Sequence, residues 1–353
     1  MERINEIAAK ICKPDPLVLG RAQARLDNLT KPLGSLGRLE ELAKQVCGIS
    51  GKDTPDLRNK VIFTLAGDHG VTEEGVSPYP KEVTAQMVYN FLSGGAAINV
   101  LAKHAGARVV VADLGVAKEI TAKAENFKSR KVGLGTKNFS KGPAMSRQEA
   151  IKSIETGIEI FEEELAKGID IIGTGEMGIG NTTSSSAITC VFTSKIPEEV
   201  TGRGTGIDNK SLENKIKVIR KSLEINRPDP SDPVGVLEKV GGYEIGGLSG
   251  VILAAAAHKI PVVIDGFISG AAALIACNLE PKTKEYLIAS HCSQEKGHKF
   301  ILENLGLRPL LDLDLRLGEG TGAALAMDII EAAVKILNQM ATFKSANVSE
   351  KNS

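Results

Sequence analysis

The sequence lacks an excess of charge of either sign, since 43 Lys and Arg face 43 Asp and Glu. Nucleic acid and membrane surfaces are therefore not favoured as partners, and any anion the protein binds must be held by local geometry. Cysteine supplies no framework either. Five are present, at positions 12, 47, 190, 277 and 292, an odd count without a CxxC pair. Neither a disulfide scaffold nor a structural zinc site is expected, and a reducing cytoplasm fits best. Residues Met1–Lys10 carry no apolar run of the signal-peptide kind. Apolar stretches such as Val251–Ala257 are far too short to span a bilayer. Trp is absent, and the His residues show no metal-ligand spacing, so neither a metal nor another cofactor is expected. What is abundant is glycine, 37 in 353 residues, which points to several tight loops. An apolar share of 42% is ordinary for a globular protein, and the length allows one large domain or two modest ones.

Short apolar runs alternate with helical patterns. Leu36, Leu39 and Leu42 form a helical stripe in Ser35–Val46, after a break at Lys31–Gly34. Strands are expected at Val61–Ala66, Arg108–Ala112, Ile169–Ile172, Pro261–Ile264 and, last, Leu310–Leu313. Helices are expected at Lys81–Leu92, Glu149–Lys167, Ser184–Val191, Gly246–His258 and Ala323–Met340. This alternation predicts an α/β fold, a mostly parallel, Rossmann-like sheet flanked by helices. Residues 1–55 with 323–345 are expected to form a small helical domain from both chain ends. Residues 56–322 would be the large catalytic α/β domain and 346–353 a flexible tail. Ligands of such sheets bind outside the carboxyl ends of the strands. Gly67-Asp68-His69, Asp113, Gly173–Gly180, Asp265-Gly266 and Arg316–Gly322 should therefore converge on one crevice.

The richest segment is Gly173–Thr183, a glycine-rich loop between strand and helix. Gly175, Gly178 and Gly180 let the backbone approach a ligand, and Asn181, Thr182 and Thr183 can cap the helix that follows. Free N–H groups at a helix start make a phosphate site; the plain alternative is a tight turn. Gly173, Gly175 and Gly178 also match GxGxxG, but a dinucleotide fold wants an acid about 20 residues on, at the end of the next strand. The loop Thr201–Gly206 stands there instead, and Glu176 sits awkwardly beside a pyrophosphate. No GK[ST] completes a P-loop. Arg203, between Gly202 and Gly204, either clamps a phosphate or turns the chain. Lys215 and Lys217 lie on a basic helix, where solvent is the default for each. Glu319, between Gly318 and Gly320, is either a general base or an acid capping the last helix. Asp312 and Asp314 alternate on one face, which favours solvent over a metal. Pro78, Tyr79, Val83, Gln86 and Met87 offer apolar surface and an amide for a flat aromatic base, against a default of core packing. Asp68 and His69 read as structural.

Together these motifs resemble one family. Leu29–Glu40, Ala66–Val71, Gly75–Pro80, Gln86-Met87, Gly94–Asn99, Gly175–Thr183, Thr201–Thr205 and Gly318–Gly322 follow, in order, the pattern of nicotinate-nucleotide–dimethylbenzimidazole phosphoribosyltransferases. These enzymes make the lower-ligand nucleotide of cobalamin. The stretch Lys118–Lys128 and the tail carry none of the pattern. The resemblance implies a homodimer, with Glu319 as catalytic base and Glu176 as a second acid near the ribose. It implies that Gly175 to Thr183, with Gly202, Arg203 and Gly204, hold the phosphate and ribose. Lys215, Asp265, Ser293 and Arg316 would join them, and Ser77, Pro78, Gln86, Met87 and Leu317 would line the base pocket. The partners are then small molecules, a nucleotide and a benzimidazole.

The chemistry suits that residue set. Nicotinate leaves C1 of the ribose as a neutral pyridine nitrogen, so no general acid is needed. The attacking imidazole must lose its second proton, which one carboxylate accepts. No pyrophosphate departs, so no Mg²⁺ is required. Two rival readings stand beside it: a Rossmann-type oxidoreductase, disfavoured by the missing acid, and a nucleotide sensor, which would have no use for Glu319.

Overall fold

Val61–Ala66 is apolar without alternation, as a strand buried on both faces requires. The computed structural model, which describes residues 1–349, buries all 8 residues of this strand, β1 (Lys60–Gly67). Its partners are β2 (Ala107–Gly115), β3 (Phe127–Ser129), β4 (Ile171–Met177), β5 (Val262–Ile264) and β6 (Leu287–Ala289). They form one parallel sheet in the order β3-β2-β1-β4-β5-β6. The chain winds outward from β1 to one edge, then returns to β4 and winds to the other. The crevice beyond the ends of β1 and β4 is the place where such a sheet binds its ligand.

The N-terminal helices are α1 (Glu2–Ala9), α2 (Pro16–Asp27) and α3 (Arg38–Ser50), followed after β1 by α4 (Glu82–Leu92) and α5 (Ala97–His104). The central ones are α6 (Arg147–Leu165), α7 (Asn181–Thr193), α8 (Pro197–Val200), α9 (Asn209–Asn226), α10 (Pro233–Val240) and α11 (Tyr243–Ala257). Then come α12 (Phe267–Leu279), α13 (Lys296–Leu305), α14 (Thr321–Gln339) and α15 (Phe343–Ala346). Side chains alternate across a strand, and β1 divides accordingly. Val61, Phe63 and Leu65 join a core with α1, α6, α11 and α12. Ile62 and Ala66 join a second core with α2, α3, α4, α5 and α14. The helices from the two chain ends, α2, α3 and α14, pack on one another and share this second core with the sheet.

Two sequence expectations need correcting. Gly173–Met177 is not loop but the second half of β4, paired in register with β1 from Lys60↔Ile171 to Ala66↔Met177. Its glycines serve close packing rather than a turn. The last strand is β6; Leu310–Leu313 makes only the isolated bridge His291↔Leu311. Leu310 and Leu311 bond through their backbones to Ala289, Ser290 and Cys292, but Leu313 and both neighbouring aspartates face solvent, so the pairing does not extend into a strand. The helical turn α15, capped by Thr342, leads into the expected flexible tail, of which residues 350–353 lie outside the described residues. Among the described residues no helix is long and apolar enough to cross a membrane.

Candidate active site

Glu319 is held by backbone geometry. Gly318, Glu319 and Gly320 all have positive φ, at 87°, 65° and 97°. A non-glycine residue there costs roughly 1–3 kcal/mol and persists only where its surroundings enforce it. Three elements do so. The Thr64 hydroxyl on β1 donates to the Glu319 carbonyl at 2.9 Å. Asp265, at the end of β5, accepts from Gly320 N–H at 3.1 Å through one oxygen, and from Gly322 and Ala323 N–H at 2.7 and 3.0 Å through the other. The Ile98 N–H, at the start of α5, donates to the Glu319 carboxylate at 3.3 Å. Gly175 makes room: a Cβ there would lie 2.2 Å from the Glu319 carbonyl oxygen. The residue itself is 5% exposed. Burial raises its pKa above the ordinary glutamate value, partly opposed by the Ile98 N–H.

Glu176 lies across the turn, where a Cβ on Gly318 would touch its carboxylate. It is buried and accepts from the Asn181 amide. Burial, then the nearby Asp265 and Glu244 carboxylates, push its pKa up to about 8. The free site therefore holds Glu176 protonated near neutral pH. Burial likewise lifts Asp265 to about 7, against its three backbone donors.

The far end of the crevice is cationic. Lys215 on α9 is buried, and its ammonium donates to the Thr182 hydroxyl at 2.7 Å. Burial pulls its pKa down to about 8, with Glu295 opposing. Glu295 accepts from Gly204 N–H at 2.8 Å, and Arg316 donates to the Gly204 carbonyl at 3.2 Å. A Cβ on Gly202 would collide with the Glu295 carboxylate, so glycine there admits the acid. The cap of α7 is Gly180, with φ of 96° and no side-chain cap. Of the first three N–H groups of α7, Asn181 and Thr183 donate to the Gly178 and Gly180 carbonyls at 3.1 and 2.9 Å, which leaves the Thr182 N–H for a ligand.

One cleft collects Glu176, Gly178, Asn181, Thr182, Gly204, Ser293, Arg316, Leu317 and Gly318. Other predicted residues stand elsewhere. Asn181, Thr182 and Thr183 do not cap α7: the first two are engaged by Glu176 and Lys215, and the Thr183 hydroxyl is buried without a partner. Arg203 is exposed and braces its own loop, donating to the Ile207 carbonyl at 2.7 Å and to Asn209. Asp265 spends both oxygens on the start of α14 rather than on the cleft. Lys215 is buried, against the solvent default, whereas Lys217 is exposed. Ser77, Pro78, Gln86 and Met87 lie outside this cleft, on α4 and the loop before it. Pro78 and Gln86 are exposed, while Met87 packs against the second core. α4 adjoins the glycine loop, where the Thr84 hydroxyl accepts from Ile179 N–H at 3.1 Å. His69 is paired with Glu244 at 2.6 Å, both side chains fully buried. Among the described residues no group of three or more His, Cys, Asp or Glu could hold a metal ion.

Four contributors escaped the sequence reading: Ile98, Phe267 at the start of α12, His291 and Glu295. The last two follow β6, so placing that strand would have exposed them to the strand-end rule.

A family model described as "Phosphoribosyltransferase" matches residues 11–348. A nicotinate-nucleotide–dimethylbenzimidazole phosphoribosyltransferase from Geobacter sulfurreducens is 55% identical over 350 residues, 99% of each chain. The chain belongs to the nicotinate-nucleotide–dimethylbenzimidazole phosphoribosyltransferase family. The enzyme of that name from Desulforamulus reducens is 56% identical over 351 residues, covering 99% of this chain and 100% of its own. A crystal structure of CobT from Thermus thermophilus superposes with a TM-score of 0.92 at 44% identity, over 95% of this chain and 100% of that one. For a member of this phosphoribosyltransferase family, the division of the crevice is informative. Thr182, with the buried Lys215 ammonium bonded to it, lines one part, and the Glu176 carboxyl beside the Glu319 turn lines another.

Proposed function

We propose that the protein transfers the phosphoribosyl group of nicotinate mononucleotide to dimethylbenzimidazole. Nicotinate is released and α-ribazole phosphate is formed, for the nucleotide loop of cobalamin. The observation that carries this reading is Glu319: a buried carboxylate on a strained turn whose neighbours Leu317 and Gly318 line the same cleft as Glu176 and Thr182, the latter bonded to Lys215. The phosphate sits at the start of α7, on the Thr182 N–H and beside the Lys215 ammonium. This places C1 of the ribose toward the carboxyls. One benzimidazole nitrogen attacks C1 as the bond to the pyridinium nitrogen breaks, and that bonding pair leaves with nicotinate. Glu319 takes the proton from the other nitrogen, so the product base is neutral. The raised pKa brings Glu319 closer to the imidazole it must deprotonate. Glu176 holds a proton in the free site. It becomes a counter-charge to the developing ribose cation only if that proton leaves when the nucleotide binds.

A single displacement puts base and leaving group on opposite faces, so the β-nucleotide gives an α-linked product. The test is to incubate the protein with both substrates, measure free nicotinate and read the anomeric configuration by NMR. Equal amounts of nicotinate and α-linked nucleotide are expected. No nicotinate overturns the assignment, and a β-linked product overturns the single displacement. We further propose a homodimer, as the family resemblance implies, in a reducing cytoplasm, which suits the five free cysteines.

A further inference from the structure

His291 lies two residues past the end of β6 and has no place in the chemistry above, yet it lines the crevice while being only 2% exposed. Its tautomer follows from its neighbours. The Ser290 hydroxyl lies 2.7 Å from the Asp265 carbonyl and 2.9 Å from His291 Nδ1. A carbonyl only accepts, and a serine carries one hydroxyl proton. That proton goes to Asp265, so His291 Nδ1–H must donate to the Ser290 oxygen. In the neutral ring the remaining lone pair is on Nε2, which has no hydrogen-bond partner among the described residues. The ring cannot turn away. A Cβ on Gly322 would lie 2.0 Å from Nδ1, and one on Gly266 would lie 3.5 Å from Nε2, so the starts of α14 and α12 hold it between them. Burial keeps the imidazole neutral, with a pKa of about 4.

The crevice thus presents a fixed, uncharged acceptor. The phosphate and the nicotinate carboxylate are themselves acceptors and would be repelled by it. The benzimidazole N–H is claimed by Glu319. In nicotinate mononucleotide the remaining donors are the two ribose hydroxyls. We propose that His291 is a ribose-binding residue, its Nε2 accepting a hydrogen bond from the 2′- or 3′-hydroxyl of the bound nucleotide. This rests on the proposed phosphoribosyl transfer and adds the group that fixes the sugar's rotation about C1. His291 thereby selects nucleotides that carry the bonded hydroxyl over those that lack it.

The test is a cycle of variants and nucleotides. His291→Asn keeps an amide near Nδ1 for Ser290 but leaves nothing at the Nε2 position; His291→Gln reaches that position. His291→Asn should raise the nucleotide KM roughly tenfold, as for one lost hydrogen bond, with the benzimidazole KM unchanged. His291→Gln should restore most of it. Native protein given 2′-deoxy or 3′-deoxy nicotinate mononucleotide should lose the same factor with whichever lacks the bonded hydroxyl, and His291→Asn should add no further loss there. A loss from His291→Asn equal on all three nucleotides, or none on any, overturns the proposal. Should His291→Asn fail to fold, the decision falls to native protein and His291→Gln: no discrimination against either deoxynucleotide overturns it equally. Native protein that releases no nicotinate from the full nucleotide defeats the proposed function instead, so the two failures are distinguishable.

Discussion

Gly175→Ala adds one methyl group 2.2 Å from the Glu319 carbonyl oxygen, 2.5 Å from its carbon and 2.7 Å from the Gly320 nitrogen. A carbon–oxygen contact needs roughly 3.2 Å, so strand and turn must separate by about 1 Å. Neither yields easily. Gly175 pairs with Thr64 in β1, and the turn is tied to the hydroxyl of that same Thr64 and to Asp265. Overpacking of this kind typically costs about 1–3 kcal/mol of stability. A catalytic group displaced by about 1 Å loses on the order of 10²-fold in rate. The expected result is kcat lowered about 10²-fold, with nucleotide affinity nearly intact because Lys215 and α7 lie at the other end. Gly20→Ala is the control. Gly20 lies within α2 with nothing within 4 Å of a Cβ, so alanine should be neutral or stabilise by up to about 1 kcal/mol. Steady-state kinetics and thermal melts on both variants decide. A Gly175→Ala protein with native kcat and melting temperature would refute the claim that this glycine positions Glu319.

Glu319→Gln should lower turnover by about 10²–10⁴-fold while nucleotide binding persists. In native protein the rate should rise with pH as this carboxyl ionises, with a midpoint above the ordinary glutamate range because burial raises its pKa; a midpoint at the ordinary value would count against a buried base. Lys215→Met should raise the nucleotide KM. Native kcat/KM for the nucleotide should fall above about pH 8 as the ammonium loses its proton, a decline the Met variant should lack. Glu176 is lifted from 4.5 to about 8 in the folded state, so its contribution to stability is full below 4.5 and is lost as pH rises toward 8. Denaturant titrations of Glu176→Gln at several pH values should show a shallower decline than native protein, and an identical slope would contradict that burial effect. Activity is expected to survive exhaustive chelation, since a neutral pyridine leaves; a loss reversed only by added divalent ion would overturn the leaving-group argument.

Much of the site was legible because its signals are local. A left-handed turn demands glycine, so Gly318-Glu319-Gly320 stood out, and strand-end positions followed from apolar runs ending in polar residues. Three strands were misjudged for equally local reasons. β3 and β6 span 3 residues each, too few to show a period, and Leu310–Leu313 matched a strand pattern but pairs only as an isolated bridge. Gly173 and Gly175 read as loop because glycine usually breaks strands, whereas here α14 and the Glu319 turn pack where their side chains would be.

The sequence by itself determined the α/β class, the parallel sheet, the crevice at its strand ends and the candidate acids at 176 and 319. Those follow from patterns that act over a few residues, except that Glu176 entered as an acid through the family resemblance. Tertiary structure alone decided that Asp265 holds the start of α14, that Glu295 reaches Gly204 and that Lys215 is buried against Thr182. It alone decided that Glu176 keeps its proton and that His291 faces the crevice as an acceptor. These join residues distant in the chain, and a side chain's partners, burial and pKa depend on what folding brings beside it.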